Sequence, residues 1–150
     1  MRQVMLAAVF SLLAFPAPAL AAGHHRGHAH VRHDRDHDRD DQNKGNAVHG
    51  QQIFARCSAC HVVGQTGGKM GPALNGVVDR KAGTVAGYAY SPAMKNSGLT
   101  WDAATLARFL EAPSKTVPGT KMFFPGLASP QDRADVTAYL KQYRADGSKK

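Results

Sequence analysis

Both cysteines of this 150-residue chain fall inside one pentapeptide, Cys57-Ser58-Ala59-Cys60-His61, with a histidine directly behind the second thiol. A disulfide across Cys-x-x-Cys closes a tiny loop and restrains the unfolded chain little. A thioredoxin-like redox pair wants strands and a βαβ context around it, and the sequence offers none. Zinc wants four ligands in paired clusters, and no second cysteine pair exists to complete such a site. Covalent attachment of a c-type haem has Cys-x-x-Cys-His as its signature and uses all three residues. A structural disulfide or redox pair is the alternative to it.

The spacing makes mechanical sense on a helix. Cys57 and Cys60 are three apart and share a face, so both can form thioethers with the vinyl groups of one porphyrin. His61 then reaches the iron as proximal ligand. Upstream, Gly50, Ile53, Phe54 and Cys57 recur at i, i+3, i+4 and i+7, an apolar helical stripe. Glycine inside a helix costs about 1 kcal/mol relative to alanine, so Gly50 points to a close helix crossing.

The partner for that crossing is the last helix. Ser129-Pro130-Gln131-Asp132 reads as a cap, a proline at the first helical position and an acid in the first turn. Val136, Tyr139, Leu140 and Tyr143 then repeat the stripe. A third helix is expected from about Asp102 to Ala112, with Leu106, Phe109 and Leu110 inward and Pro113 as its stop. Strand-like alternation is nearly absent. The expected fold is all-α, three to five helices around one haem, with the first and last helices of the domain crossing and long loops over 62–90 and 113–128.

Residues 1–21 carry Arg2, an apolar run from Val4 to Phe15, Pro16, Pro18, and small residues at Ala19 and Ala21. This is the pattern of a secretory signal cut before Ala22. The apolar run is short for a membrane span. The expected location is therefore periplasmic, as an exported, soluble protein.

From Gly50 to about Tyr143 the chain resembles the class I c-type cytochromes, most of all mitochondrial cytochrome c and its short bacterial periplasmic relatives. The matching stretches are GQQIFARCSACH, GPALNGVVDRKAG, GYAYSPAMKNSGLTW, LARFLEAPSKTVPGTKMFFPGL and DVTAYL. The resemblance implies a one-electron carrier, not an enzyme, with a single covalent haem c. It implies that Met122 in Pro118-Gly119-Thr120-Lys121-Met122 is the sixth iron ligand, with Thr120 of the same segment among the cofactor-binding residues. Without it, Met70 and Met94 compete with Met122, and Met122 is favoured because a Pro-Gly turn presents a side chain rigidly. The resemblance further implies that the Pro72 carbonyl receives the second imidazole N–H of His61, and that Arg80, Tyr90 and Trp101 meet the haem propionates. Core packing for Tyr90 and Trp101, and a solvated charge for Arg80, are the structural alternatives. Phe109 and Met94 stand where the mitochondrial protein has a pocket tyrosine and an asparagine, so a drier pocket is expected.

Residues 50–150 carry thirteen bases and six acids, a net charge of +7. Such a surface steers acidic redox partners and gives no reason to expect nucleic acid. Arg56, Lys69, Lys115 and Lys121 flank the segments expected at the haem edge and form a candidate docking ring on a monomer. Residues 22–49 are poor in apolar side chains, hold five bases against five acids, and are expected to be a disordered tail. Its six histidines between His24 and His37 are either a weak site for zinc, copper or nickel or part of a solubilising linker. The competing functions are a haem enzyme or sensor of the peroxidase type, which needs an open sixth position, and a metal-binding protein acting through the tail.

Overall fold

The computed structural model describes residues 44–150. The expected signal of residues 1–21, the histidines of the tail and the rest of the chain up to residue 43 lie outside the described residues. Among the described residues five helices follow in order: α1, Ala47–Phe54; α2, Pro92–Lys95; α3, Ala103–Glu111; α4, Pro113–Thr116; α5, Pro130–Lys141. Among the described residues there is no strand, only isolated bridges between Lys81 and Thr100 and between Tyr143 and Lys149. The all-α expectation holds.

The caps are those the sequence announces. Ser129 accepts from the Asp132 amide with Pro130 at the first helical position of α5, and Asp102 accepts from the Thr105 amide at the start of α3. Pro113 ends α3 but also opens the single turn α4, since a proline fits the first helical position. The short α2, capped by Ser91, lies in a region with no clear helical period.

The first helix starts earlier than expected. Asn46 is its cap, receiving the Val48 and His49 amides, so Ala47–His49 belong to the folded domain and not to a disordered tail ending at residue 49. The helix also stops earlier. Regular α-helix ends at Phe54, and Cys57–His61 follow in tight turns, with the amides of Cys60 and His61 both bonded to the Cys57 carbonyl at 3.0 and 2.9 Å. Those bonds keep one helical turn, which preserves the shared face of the two thiols without a continuous helix.

Helices α1 and α5 cross at Gly50. A Cβ there would lie 2.0 Å from the carbonyl oxygen of Asp135 and 2.9 Å from Cβ of Tyr139. The absent side chain is what lets the backbones touch. Around the crossing Ile53, Phe54, Val136, Tyr139 and Leu140 are buried, and the rings of Phe54 and Tyr139 lie 5.4 Å apart. Each such side chain contributes roughly 1.5–3 kcal/mol on leaving water. Helix α3 adds Leu106, Phe109 and Leu110 to the same core, against which the half-buried Cys57 packs.

Candidate functional site

The Cys57–His61 turn is held against residues 71–74 by two backbone bonds. The Gly71 amide donates to the Cys60 carbonyl and the Leu74 amide to the Val62 carbonyl, both at 2.9 Å. This pairing brings the Pro72 carbonyl to His61 Nδ1 at 2.8 Å. With that nitrogen carrying the proton and donating it, Nε2 is left as a bare lone pair, the state a metal needs. Burial pushes the imidazole pKa down and the bond to Pro72 opposes it; the net is a lowered value, favouring the neutral ring.

Gly71 completes the cradle. A Cβ at this position would stand 2.4 Å from His61 Cε1 and 2.7 Å from Nδ1. The imidazole therefore lies flat against bare backbone. In the sequence Pro72 stands out through the family resemblance, whereas the glycine beside it is marked only by the Gly71-Pro72 pair itself.

Cys57 and Cys60 are free thiols, both half-buried. Burial raises the Cys57 pKa, partly opposed by the Arg56 guanidinium beside it. Two unpaired thiols, a neutral imidazole with one committed nitrogen and a side-chain-free cradle fit a covalently bound haem. They do not suit the disulfide alternative.

The three candidate methionines part company. Met70 is exposed, its side chain in solvent, and Met94 is buried in the core. Met122 is half-buried at the edge of that core. Its amide donates to Thr120 Oγ1 at 3.2 Å, a short turn that sets the segment's direction. Downstream the chain is anchored firmly: the Leu127 amide donates to the Leu110 carbonyl at 2.8 Å, and the buried Arg133 donates to the carbonyls of Leu127 and Ala128 at 2.7 and 2.8 Å. Arg133 went unnoticed in the sequence, where it reads as one more surface base on a helix.

The remaining expected positions are spread over several loops and helices. Arg80 is half-buried and donates to the carbonyls of Asn75 and Ala73 at 2.7 and 3.3 Å, bracing the loop that carries Pro72. Burial lowers its pKa and the neighbouring Tyr90 opposes the shift. Tyr90 is half-buried, with its ring 4.7 Å from Tyr88. Trp101 is buried with its ring 4.8 Å from Phe109. Phe109 and Met94 both lie in the apolar core. Of the candidate docking cations, Arg56, Lys115 and Lys121 are exposed, and Lys69 donates to the Ser58 carbonyl at 2.7 Å. Phe123, two residues after Lys121, is wholly exposed. Nothing in its alternation distinguished it from a core aromatic.

Comparison with known proteins gives one consistent picture. The family model described as Cytochrome c matches residues 47–144, beginning where α1 begins. Cytochrome c2 of Rhodoblastus acidophilus is 58% identical over 102 residues, covering 67% of this chain and 94% of that protein. Cytochrome c of Cannabis sativa is 50% identical over 103 residues, covering 67% of this chain and 93% of that protein. Among solved structures, cytochrome cH from Methylobacterium extorquens matches at 52% identity with a TM-score of 0.61, covering 65% of this chain and 98% of that chain.

Proposed function

The chain belongs to the cytochrome c family, and from that premise we propose that it is a soluble periplasmic carrier of single electrons, not an enzyme. Its cofactor is one covalently attached haem c. When bound, the haem supplies an iron that takes up and returns one electron; everything else is the work of the chain.

Cys57 and Cys60 would hold the haem through thioethers, and His61 and Met122 would be the side chains that ligate its iron. A His/Met pair suits transfer without substrate binding, because it leaves the iron no open position. The observation that carries the reading is His61, whose Nδ1 is fixed on the Pro72 carbonyl at 2.8 Å directly behind two free thiols. The bond locks tautomer and ring angle, so the ligand need not reorganise when the charge on the iron changes. Thr120 positions Met122, while Arg80, Tyr90 and Trp101 serve the propionate side. The buried Phe109 and Met94 keep the surrounding shell apolar.

Acidic redox partners are steered by the excess positive charge, with the exposed Arg56, Lys115 and Lys121 as candidate docking cations and the exposed Phe123 as a candidate apolar contact. The export pattern of residues 1–21 supports a periplasmic site of action.

The deciding experiment is the optical spectrum of the ferric holoprotein, whose weak red charge-transfer band reports methionine sulfur on the iron. Met122→Ala is expected to abolish the band, whereas Met70→Ala and Met94→Ala retain it. Loss of the band in Met94→Ala alone would overturn the assignment.

A further inference from the structure

We infer that Arg56 is a positioning residue for the segment that carries Met122, its guanidinium acting as a latch on Phe124. The inference rests on Met122 being the sixth ligand.

The segment from Thr120 to Pro125 is a strap fixed at its ends. Gly119 and Gly126 bound it, each in the left-handed region with φ of +87° and +103°. At the near end the Thr120 amide donates to the Val117 carbonyl at 3.0 Å, and just past the far end the Leu127 amide holds the Leu110 carbonyl at 2.8 Å. Gly126 is pressed so closely on α3 that a Cβ would lie 2.0 Å from the Glu111 carbonyl oxygen. Between these ties, among the described residues, the amides of Lys121, Phe123, Phe124 and Gly126 have no protein acceptor, and only the Met122 amide finds one, inside the strap itself. The middle of the strap is therefore held by side chains alone.

One of those side chains reaches the other wall of the site. Arg56 immediately precedes Cys57, and its guanidinium carbon lies 5.7 Å from the centroid of the Phe124 ring. Among the described residues no carboxylate stands within ion-pair reach of Arg56, so none of them competes with the ring for this cation. A guanidinium over an aromatic face within about 6 Å is attracted by the ring quadrupole. The contact joins the turn that anchors the cofactor to the strap two residues from Met122. Opening the strap breaks it; closing the strap restores it.

The latch is thus a bias on strap opening, and its removal must show as easier entry of a competing ligand at the sixth position. Ferric holoprotein is titrated with imidazole at a pH where imidazole is uncharged, so that a change in protein charge does not itself attract or repel the probe. Arg56→Gln is expected to bind imidazole about two- to five-fold more tightly than the wild type, the change an exposed cation–π contact supports. In a Phe124→Leu background the same substitution is expected to change nothing further. Unchanged affinity in Arg56→Gln, or an equal gain with and without the Phe124 ring, overturns the latch. Met122→Ala separates the two levels: a methionine band surviving in that variant defeats the ligand assignment, whereas its loss combined with an Arg56→Gln variant indistinguishable from wild type defeats the latch alone.

Discussion

His49 Nδ1 and Asp135 Oδ2 meet at 2.7 Å across the crossing of α1 and α5. The Asp135 side chain is 2% exposed and that of His49 is 47% exposed, so a buried carboxylate is held by a ring that still touches water. Two further donors complete its shell: the Asn46 amide at 2.6 Å and the Gln131 side chain at 2.7 Å. One carboxylate thereby receives the residue that caps the first helix, a side chain in its first turn and a neighbour on its own helix.

Asp135→Asn is expected to weaken the domain by about 1–3 kcal/mol at neutral pH, because an amide cannot accept from all three donors. Burial pushes the Asp135 carboxyl up, yet the bonds from Asn46, His49 and Gln131 outweigh it and hold the group below the ordinary carboxylate value. A depressed folded-state pKa contributes stability that is present above the unfolded value, about 3.9, and is lost as pH falls through the folded one. Denaturant unfolding of both proteins from pH 7 downward should show the gap shrinking below about pH 4. A gap that stays constant through that window would mean that charge on Asp135 contributes nothing.

Gly50→Ala should cost about 1–3 kcal/mol, the range for overpacking a tight contact. Helix propensity alone predicts the reverse, a gain of about 1 kcal/mol. The decision lies with the 2.0 Å approach of a Cβ to the Asp135 carbonyl, which is backbone and cannot rotate aside. Equilibrium unfolding of the holoprotein gives the sign directly. A more stable variant would show that the helices separate at little cost.

These two residues also mark the boundary of what the sequence makes legible. Gly50 announced a close crossing because glycine is out of place in an apolar helical stripe, and the stripes of α1, α3 and α5 carried the helices with their inward faces. Asp135 announced nothing. Its neighbours Val136 and Tyr139 define the buried face by hydrophobicity, and a polar residue buried by partners 86 and 89 positions away has no local signature. The same holds at the site. The thiols and His61 are contiguous and hence readable, while Met122 needed the family resemblance, since burial and exposure sort the methionines only in three dimensions. Phe124 acts through a contact with Arg56, far along the chain, and Gly71 through the His61 ring that the loop folds back onto it.

Gly71→Ala should disturb the proximal side specifically. The new methyl group would stand 2.4 Å from His61 Cε1, so either the ring tilts off the Pro72 carbonyl or the segment 71–74 shifts from its two backbone bonds. The expected result is a lower yield of covalently haem-loaded protein and a loss of about 1–3 kcal/mol in the protein that does mature. Paramagnetic NMR of the ferric form should show displaced histidine resonances. Unaltered resonances with unaltered stability would mean that the cradle has room the geometry denies.

Phe109→Tyr probes the dry pocket. The Phe109 ring is buried against Trp101 at 4.8 Å and belongs to the apolar core that also holds Met94. A hydroxyl placed there without a partner should cost about 1–3 kcal/mol. Thermal and denaturant unfolding test the point, and a stability that rises would reveal an acceptor beside Phe109.

At the alkaline end the pair Tyr139 and Tyr143 sets the expectation. Both are buried, and their hydroxyls share a hydrogen bond of 3.1 Å. Burial first, then the bond and charge of Tyr143, push the Tyr139 pKa up to about 12. A phenol is neutral when protonated, so a raised folded-state pKa contributes stability that is complete below the unfolded value, about 10, and disappears as pH rises through the folded one. Tyr139→Phe removes this titration while keeping the ring against Phe54. The stability difference between wild type and variant should therefore hold steady from pH 7 to about 10 and then fall against the wild type as pH approaches about 12. Denaturant unfolding at stepped pH measures it, and ultraviolet titration of the native protein should show a late ionisation step that is missing in the variant. If the difference is flat across the whole range, the Tyr139 hydroxyl reaches water in the folded state and the pair does not couple alkaline pH to the helix crossing.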